Sequence, residues 1–148
     1  MITYLSGSIF NAKCDALVNP VNTSGAAGKG LALEFRKRYP YNYKMYRAQC
    51  SAHKVQVGAL LCVGTLVIEP KMIINFPTKK HWSQPSRLEY IDSGLEELVN
   101  VIPSLQIRSI AVPALGCGCG GLDWADVKLM IHHRLKDLEI DVYVYEPK

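Results

Sequence analysis

The sequence predicts an α/β fold in which helices cover both faces of a largely parallel sheet, and three observations predict it. Short β-branched apolar runs recur along the chain, and segments of helical period lie between them. The length of 148 residues suits one domain with a sizeable core and is too short for two of ordinary size. Alternation of the two periods requires crossover connections, which bury the sheet between two helical layers.

The expected strands are Ile2 to Leu5, Ala16 to Val21, Ala59 to Val63, Lys71 to Phe76, Arg108 to Val112 and Asp141 to Tyr145. After the second, the polar stretch "NPVNTSGAAGKG" feeds into a helix opening at Leu31-Ala32-Leu33-Glu34-Phe35. Leu88, Ile91, Leu95, Leu98, Val99 and Ile102 recur at i, i+3, i+4 spacing, as do Trp124, Val127, Met130, Ile131 and Leu135. Both sets predict amphipathic helices packed on the sheet. Asp123 stands where its carboxylate can accept from a free first-turn amide, and Pro103 is expected to close the preceding helix.

Hydrophobic residues make up 49% and charged residues 20%, a balance that excludes a disordered or fibrous chain. No apolar run approaches a membrane span, and the start Met1-Ile2-Thr3-Tyr4-Leu5 lacks the layout of a signal peptide, so a cytoplasmic protein is expected. The five cysteines, Cys14, Cys50, Cys62, Cys117 and Cys119, form no CxxC pair and are expected as reduced thiols. Two thiolates on one loop leave a zinc site short of ligands, so Cys117 and Cys119 read as small buried side chains and no metal is expected. Net charge is +4, with Lys29, Arg36, Lys37, Arg38, Lys44 and Arg47 clustered against Glu34 alone. Such a cluster can attract a phosphate-rich partner, but a charge run alone reads first as a solvated helix face.

Ligands of open α/β sheets bind at the carboxyl ends of strands, which selects three loops. The last, "PALGCGCGG", satisfies G-x-G-x-x-G through Gly116, Gly118 and Gly121, between a strand and the helix capped by Asp123. A dinucleotide fold also needs an acid at the end of the next strand, and Asp141 lies at its beginning, so that label is rejected. Its physics survives, because glycines let backbone N–H groups approach a diphosphate at the positive end of a helix. The opening loop resembles a truncated P-loop without the Ser or Thr after Lys29 that would hold magnesium, which excludes a Walker ATPase. It remains a nest of amides flanked by Asn19 and Asn22, whose carboxamides can grip sugar hydroxyls or bond their own turn. The third loop is "NFPTKKHW".

The strings "DALVNPVNTSGAAGKGLALEF", "IINFPTKKHW" and "IAVPALGCGCGGLDW", in this order, resemble the macrodomain family, the ADP-ribose-binding fold, over nearly the whole chain. The resemblance is strongest to the DarG-type antitoxin macrodomains, which are DNA ADP-ribosyl glycohydrolases, and extends to terminal ADP-ribose glycohydrolases. It implies one three-layer α/β/α domain over residues 1–148 with a mixed, mostly parallel central sheet. It implies that Gly28, Lys29, Gly30, Leu31 and Ala32, with Leu115, Gly116, Cys117, Gly118, Cys119, Gly120 and Gly121, hold the diphosphate and distal ribose. Asn22 is implied at that ribose with Asn19 nearby, and Pro77, Thr78, His81 and Trp82 along the third loop. Many members bind adenine through a Gly-Asp pair; this chain has Gly7-Ser8-Ile9, which leaves Ser8 and Ile9 with backbone contacts and stacking.

Hydrolases of the commonest macrodomain subclass place an Asp soon after the first glycine loop, where this chain reads Gly30-Leu31-Ala32-Leu33, so that water-activating route is closed. The second loop carries Gly120 where other relatives have a bulky ring or an aspartate. The resemblance instead makes Lys79, directly after Thr78, the catalytic residue, with Asn22. Adjacent Lys80 disfavours an ammonium at position 79, which would favour a nucleophilic amine. A pair of solvent-facing, phosphate-attracting lysines is the alternative on residue chemistry alone. His81 could protonate a leaving group, although a surface hydrogen bond accounts for it equally, and Trp82 could stack on a base, although a ring packed over the loop is its default reading.

The expected function is removal of ADP-ribose from nucleic acid, on the resemblance thymidine-linked ADP-ribose in single-stranded DNA. The expected partners are ADP-ribose, ADP-ribosylated DNA and a DarT-like toxin as functional counterpart; no cofactor, no membrane and a monomer are expected. The DarG antitoxin also has a toxin-contacting domain, which this chain does not include, so it is expected as an excised domain or a stand-alone relative. The rivals are hydrolysis of protein-linked ADP-ribose or of ADP-ribose 1''-phosphate, and a module that binds ADP-ribose without turnover.

Overall fold

Six strands form one sheet in the computed structural model, which describes residues 1–147. In chain order they are β1 (Ile2–Leu5), β2 (Ala16–Asn22), β3 (Leu61–Gly64), β4 (Met72–Lys79), β5 (Ser109–Val112) and β6 (Asp141–Tyr145). The helices are α1 (Gly30–Arg38), α2 (Pro40–Ser51), α3 (Leu88–Leu105) and α4 (Trp124–Leu135). Across the sheet the order is β1-β6-β5-β2-β4-β3, parallel throughout except for β3 against β4. This is the expected three-layer α/β/α fold with a mixed, mostly parallel sheet.

Strand periodicity distributes the core. Ala16 and Val18 of β2 and Ile74 and Phe76 of β4 face α3 and α4, meeting Ile91, Leu95, Leu98, Val127 and Ile131. Their neighbours Leu17 and Ile73 point to the opposite face and meet Phe35 of α1. Farther along that face, Val21 packs with Tyr46 and Cys50 of α2. The close fit of α3 rests on Gly94, where an added Cβ would run into the Phe76 ring.

The departures from the sequence reading have local causes. β4 runs to Lys79, past the expected end at Phe76, because Pro77 pairs with Val21 beside a register shift at Val21/Asn22. β3 begins at Leu61, not at Ala59. Pro103 does not close its helix: α3 continues to Leu105 and ends where Gln106 turns left-handed at φ 55°. Proline's fixed φ suits a helix and its ring removes only one donor, so the final turn survives. The separate helix α2 buries Asn42, Tyr46 and Cys50 at i, i+4, i+8, a helical stripe carried by residues that hydrophobicity alone does not flag. Asp123 caps α4 as expected, accepting from the Ala125 amide at 3.0 Å. Among the described residues no helix is long and apolar enough to cross a membrane, and no group of three or more His, Cys, Asp or Glu could hold a metal ion.

Helices α3 and α4 are also clasped by Arg134, whose guanidinium donates to both oxygens of Asp92 at 2.7 Å. These bonds hold the Asp92 carboxyl below its ordinary value of 3.8. With the folded pKa depressed, the clasp contributes fully above that value and is lost as pH falls through the folded one. Acid unfolding of Asp92→Asn should therefore show a shallower dependence below about pH 4 than wild type, read by circular dichroism against pH. Gly94→Ala should destabilise the fold by about 1–3 kcal/mol, because overpacking against Phe76 outweighs a gain in helix propensity of roughly 1 kcal/mol. A lowered urea midpoint at unchanged slope is the expected readout.

Candidate functional site

Loops leaving the carboxyl ends of the strands surround one cleft of about 690 Å³. Its size falls within the range of small-molecule sites.

Asn22, at the end of β2, builds the first wall. Its Oδ1 accepts from the amides of Ser24 (3.1 Å), Gly25 (3.0 Å) and Ala26 (3.2 Å), from the Ser24 hydroxyl (2.9 Å) and from the Tyr46 hydroxyl (2.8 Å). Its Nδ2 donates to the Ala26 carbonyl at 3.0 Å. Tyr46 also lies 2.7 Å from the Asn22 carbonyl, and burial pushes its phenol pKa well up, so it remains a donor. Asn22 thus acts as the organiser of its own loop, and its oxygen has no capacity left for a sugar hydroxyl.

The loop delivers the chain to α1, whose N-cap, Lys29, makes no side-chain capping bond and whose first turn carries no acid. Gly30, Leu31 and Ala32, whose first-turn amides have no partner within the helix, line the cleft at the positive end of the helix dipole. Opposite stand Gly118, Cys119 and Gly120. The loop is folded on itself by bonds from Leu122 N to Gly116 O (2.9 Å) and Gly121 N to Gly118 O (3.3 Å), and Ser86 N, from the segment before α3, donates to Gly120 O (3.0 Å). A Cβ on Gly120 would collide with the Ser86 hydroxyl and the Gly116 carbonyl, so the aspartate or ring of other relatives has no room here.

Lys79 lines the cleft from the end of β4, its Nζ donating to the Trp82 carbonyl at 3.1 Å. Lys80, the first residue past the strand, holds its ammonium 5.8 Å from the Tyr90 ring centre.

Of the expected site residues, Ser8, Ile9, Asn22, Gly28, Lys29, Gly30, Leu31, Ala32, Thr78, Lys79, Trp82, Gly118, Cys119 and Gly120 line the cleft. The others lie outside it. Asn19 is buried and donates to Asn75 Oδ1 at 3.0 Å; Pro77 is buried within β4. His81 Nδ1 meets the Ser83 hydroxyl at 2.6 Å, leaving a turn contact in place of a cleft acid. Leu115 is a core residue, Gly116 packs under Leu122, Cys117 packs on the core, and Gly121 lies beyond the turn. Cys119, expected as buried, is exposed on the cleft wall.

Sequence reading missed Phe10, Glu34, Arg38, Tyr145 and Glu146, which also line the cleft. Arg38 reaches Glu34 at 3.7 Å and lies 4.3 Å over the Phe10 ring. Glu146 is held by Trp124 Nε1 and Lys128 Nζ, each at 3.0 Å, bonds that lower its carboxyl pKa. The carboxyl-end rule, applied to β1 and β6 as well, is the signal that would have found this end.

The sequence matches the Macro domain family over residues 18–131. Across 99% of the chain it is 47% identical to the DNA ADP-ribosyl glycohydrolase of Thermus aquaticus, of which it covers 41%. The solved macrodomain of Mycobacterium tuberculosis DarG matches at a TM-score of 0.97 and 48% identity, over 100% of this chain and 99% of that one. Thermosipho africanus DarTG in complex with ADP-ribose matches at 0.92 and 32% identity, over 99% of this chain and 41% of that one. The chain spans about two fifths of the length of the DNA ADP-ribosyl glycohydrolases it matches.

Tyr46→Phe removes the hydroxyl that braces Asn22 while keeping the ring. A loss of about 1–2 kcal/mol in urea unfolding is expected, together with faster amide exchange at Ser24 to Ala26.

Proposed function

The chain belongs to the macrodomain family, and on that premise we propose that it removes ADP-ribose from nucleic acid, as thymidine-linked ADP-ribose on single-stranded DNA. The observation that carries this reading is that Lys79 lines the same cleft as both amide walls. The chain's similarity to DNA ADP-ribosyl glycohydrolases supports the choice of DNA. The fused transferase and glycohydrolase of Thermosipho africanus supports a DarT-like enzyme as counterpart.

The diphosphate sits between the α1 N-terminus and the amides of Gly118 to Gly120, where main-chain dipoles favour anions. Adenosine extends towards Ser8, Ile9 and Phe10, with apolar packing in place of a carboxylate partner. The distal ribose meets Lys79. To react, the Lys79 amine, as free base, leaves the Trp82 carbonyl and attacks the anomeric carbon that carries the base. The bond to the base breaks, its electron pair departs with the base, and the base gains a proton from water. The amine adduct is then hydrolysed, returning lysine and free ADP-ribose. Asn22 contributes by holding the loop in shape.

Incubation of ADP-ribosylated single-stranded DNA with wild type and Lys79→Ala tests the reading. Release of ADP-ribose should fall at least about 10²-fold in the variant, while free ADP-ribose still binds it in calorimetry within a few fold. Equal stripping by both forms would remove the catalytic assignment. Undiminished binding with no turnover by either form would instead indicate a module that reads ADP-ribose.

A further inference from the structure

A second cavity, of about 490 Å³, lies beyond the strand end that carries Lys79. Thr23, Val55, Gln56, Val57, Lys80 and Tyr90 line it, with no carboxylate among them. It shares a backbone wall with the main cleft. Thr23 donates through its amide to the Lys79 carbonyl at 3.1 Å and through its hydroxyl to the Lys80 carbonyl at 2.6 Å. Two consecutive lysines therefore serve two adjoining cavities.

We propose that this second cavity is a nucleotide subsite: it takes the nucleotide next to the ADP-ribosylated one, with its phosphodiester on Lys80 and its base on the Tyr90 ring. The inference rests on the reading of the main cleft given above and extends it to the strand that carries the modification. A phosphate is a stronger partner for an ammonium than an aromatic face, and the lysine stem is flexible. On arrival of the strand, Lys80 leaves the ring for the phosphate, and the freed face becomes a stacking platform. The Gln56 carboxamide supplies a donor and an acceptor at the same wall, suited to a base edge. Cation, ring and amide together fit single-stranded nucleic acid, and the absence of a lining carboxylate removes the repulsion such a strand would meet.

The test uses labelled single-stranded DNA carrying one ADP-ribosylated thymidine, with free ADP-ribose as the reference ligand. Both are titrated with Lys79→Ala protein, to halt turnover, and with that protein also carrying Lys80→Ala, Tyr90→Leu or Tyr90→Phe. Lys80→Ala and Tyr90→Leu should each weaken DNA binding at least about 5-fold. Lys80→Ala should also reduce the slope of log affinity against log salt by about 0.7. Tyr90→Phe, which keeps the ring, should retain DNA affinity, and no second substitution should alter the affinity for free ADP-ribose. Unchanged DNA binding in Lys80→Ala and Tyr90→Leu, with ADP-ribose still bound, overturns the subsite and leaves the proposed function standing. Failure of ADP-ribose itself to bind overturns both.

Discussion

The architecture of the cleft depends on one carboxamide oxygen. Asn22 gathers the amides of three successive residues and a buried phenol onto its Oδ1, and this fixes the path by which β2 turns into α1. A buried oxygen with such partners is costly to displace, because each abandoned donor would lose its partner away from water. The loop is thus shaped before any ligand arrives. An asparagine in a turn bonds its own backbone by default, and here that ordinary behaviour does the organising.

α1 shows how stability and binding are divided. Its C-terminal turn carries Arg36, Lys37 and Arg38, which complement the negative end of the helix dipole. Its N-terminal turn has neither cap nor acid, forgoing about 1 kcal/mol that a capping side chain usually contributes. The helix is supported at the end away from the cleft and left unsatisfied where an anion can complete it. The basic cluster noted in the sequence is therefore in part an internal electrostatic device, with Arg36 stacked over Tyr43 and Arg38 over Phe10.

The layers of the fold were legible because β2 and β4 alternate aliphatic residues between two faces, a pattern that survives without any alignment. The three loops were legible because glycines and asparagines at strand ends are chemically conspicuous. What escaped the reading has physical reasons. α2 hides its buried stripe in Asn42, Tyr46 and Cys50, and a buried Asn42 makes sense only once Asn75 is across from it, at 2.7 Å and 3.0 Å. Pro77 and Pro103 look like breakers, yet each sits where the missing donor matters little. Gly116 and Leu115 belong to the glycine-rich motif but serve its packing, and a motif does not say which of its members face outward. Phe10, Tyr145 and Glu146 are brought to the cleft by parallel pairing of the first strand with the last, a neighbourhood that chain order conceals.

Lys79, the last residue of β4, and Lys80, the first residue past it, line different cavities. Which ammonium faces the main cleft is thus set by where the pairing stops, since Lys79, opposite Asn22, is the last residue in register with β2. A single-residue insertion between Phe76 and Lys79 would carry Lys79 to the place of Lys80 and leave another residue at the cleft while conserving every side chain, so composition at this corner carries less information than the count.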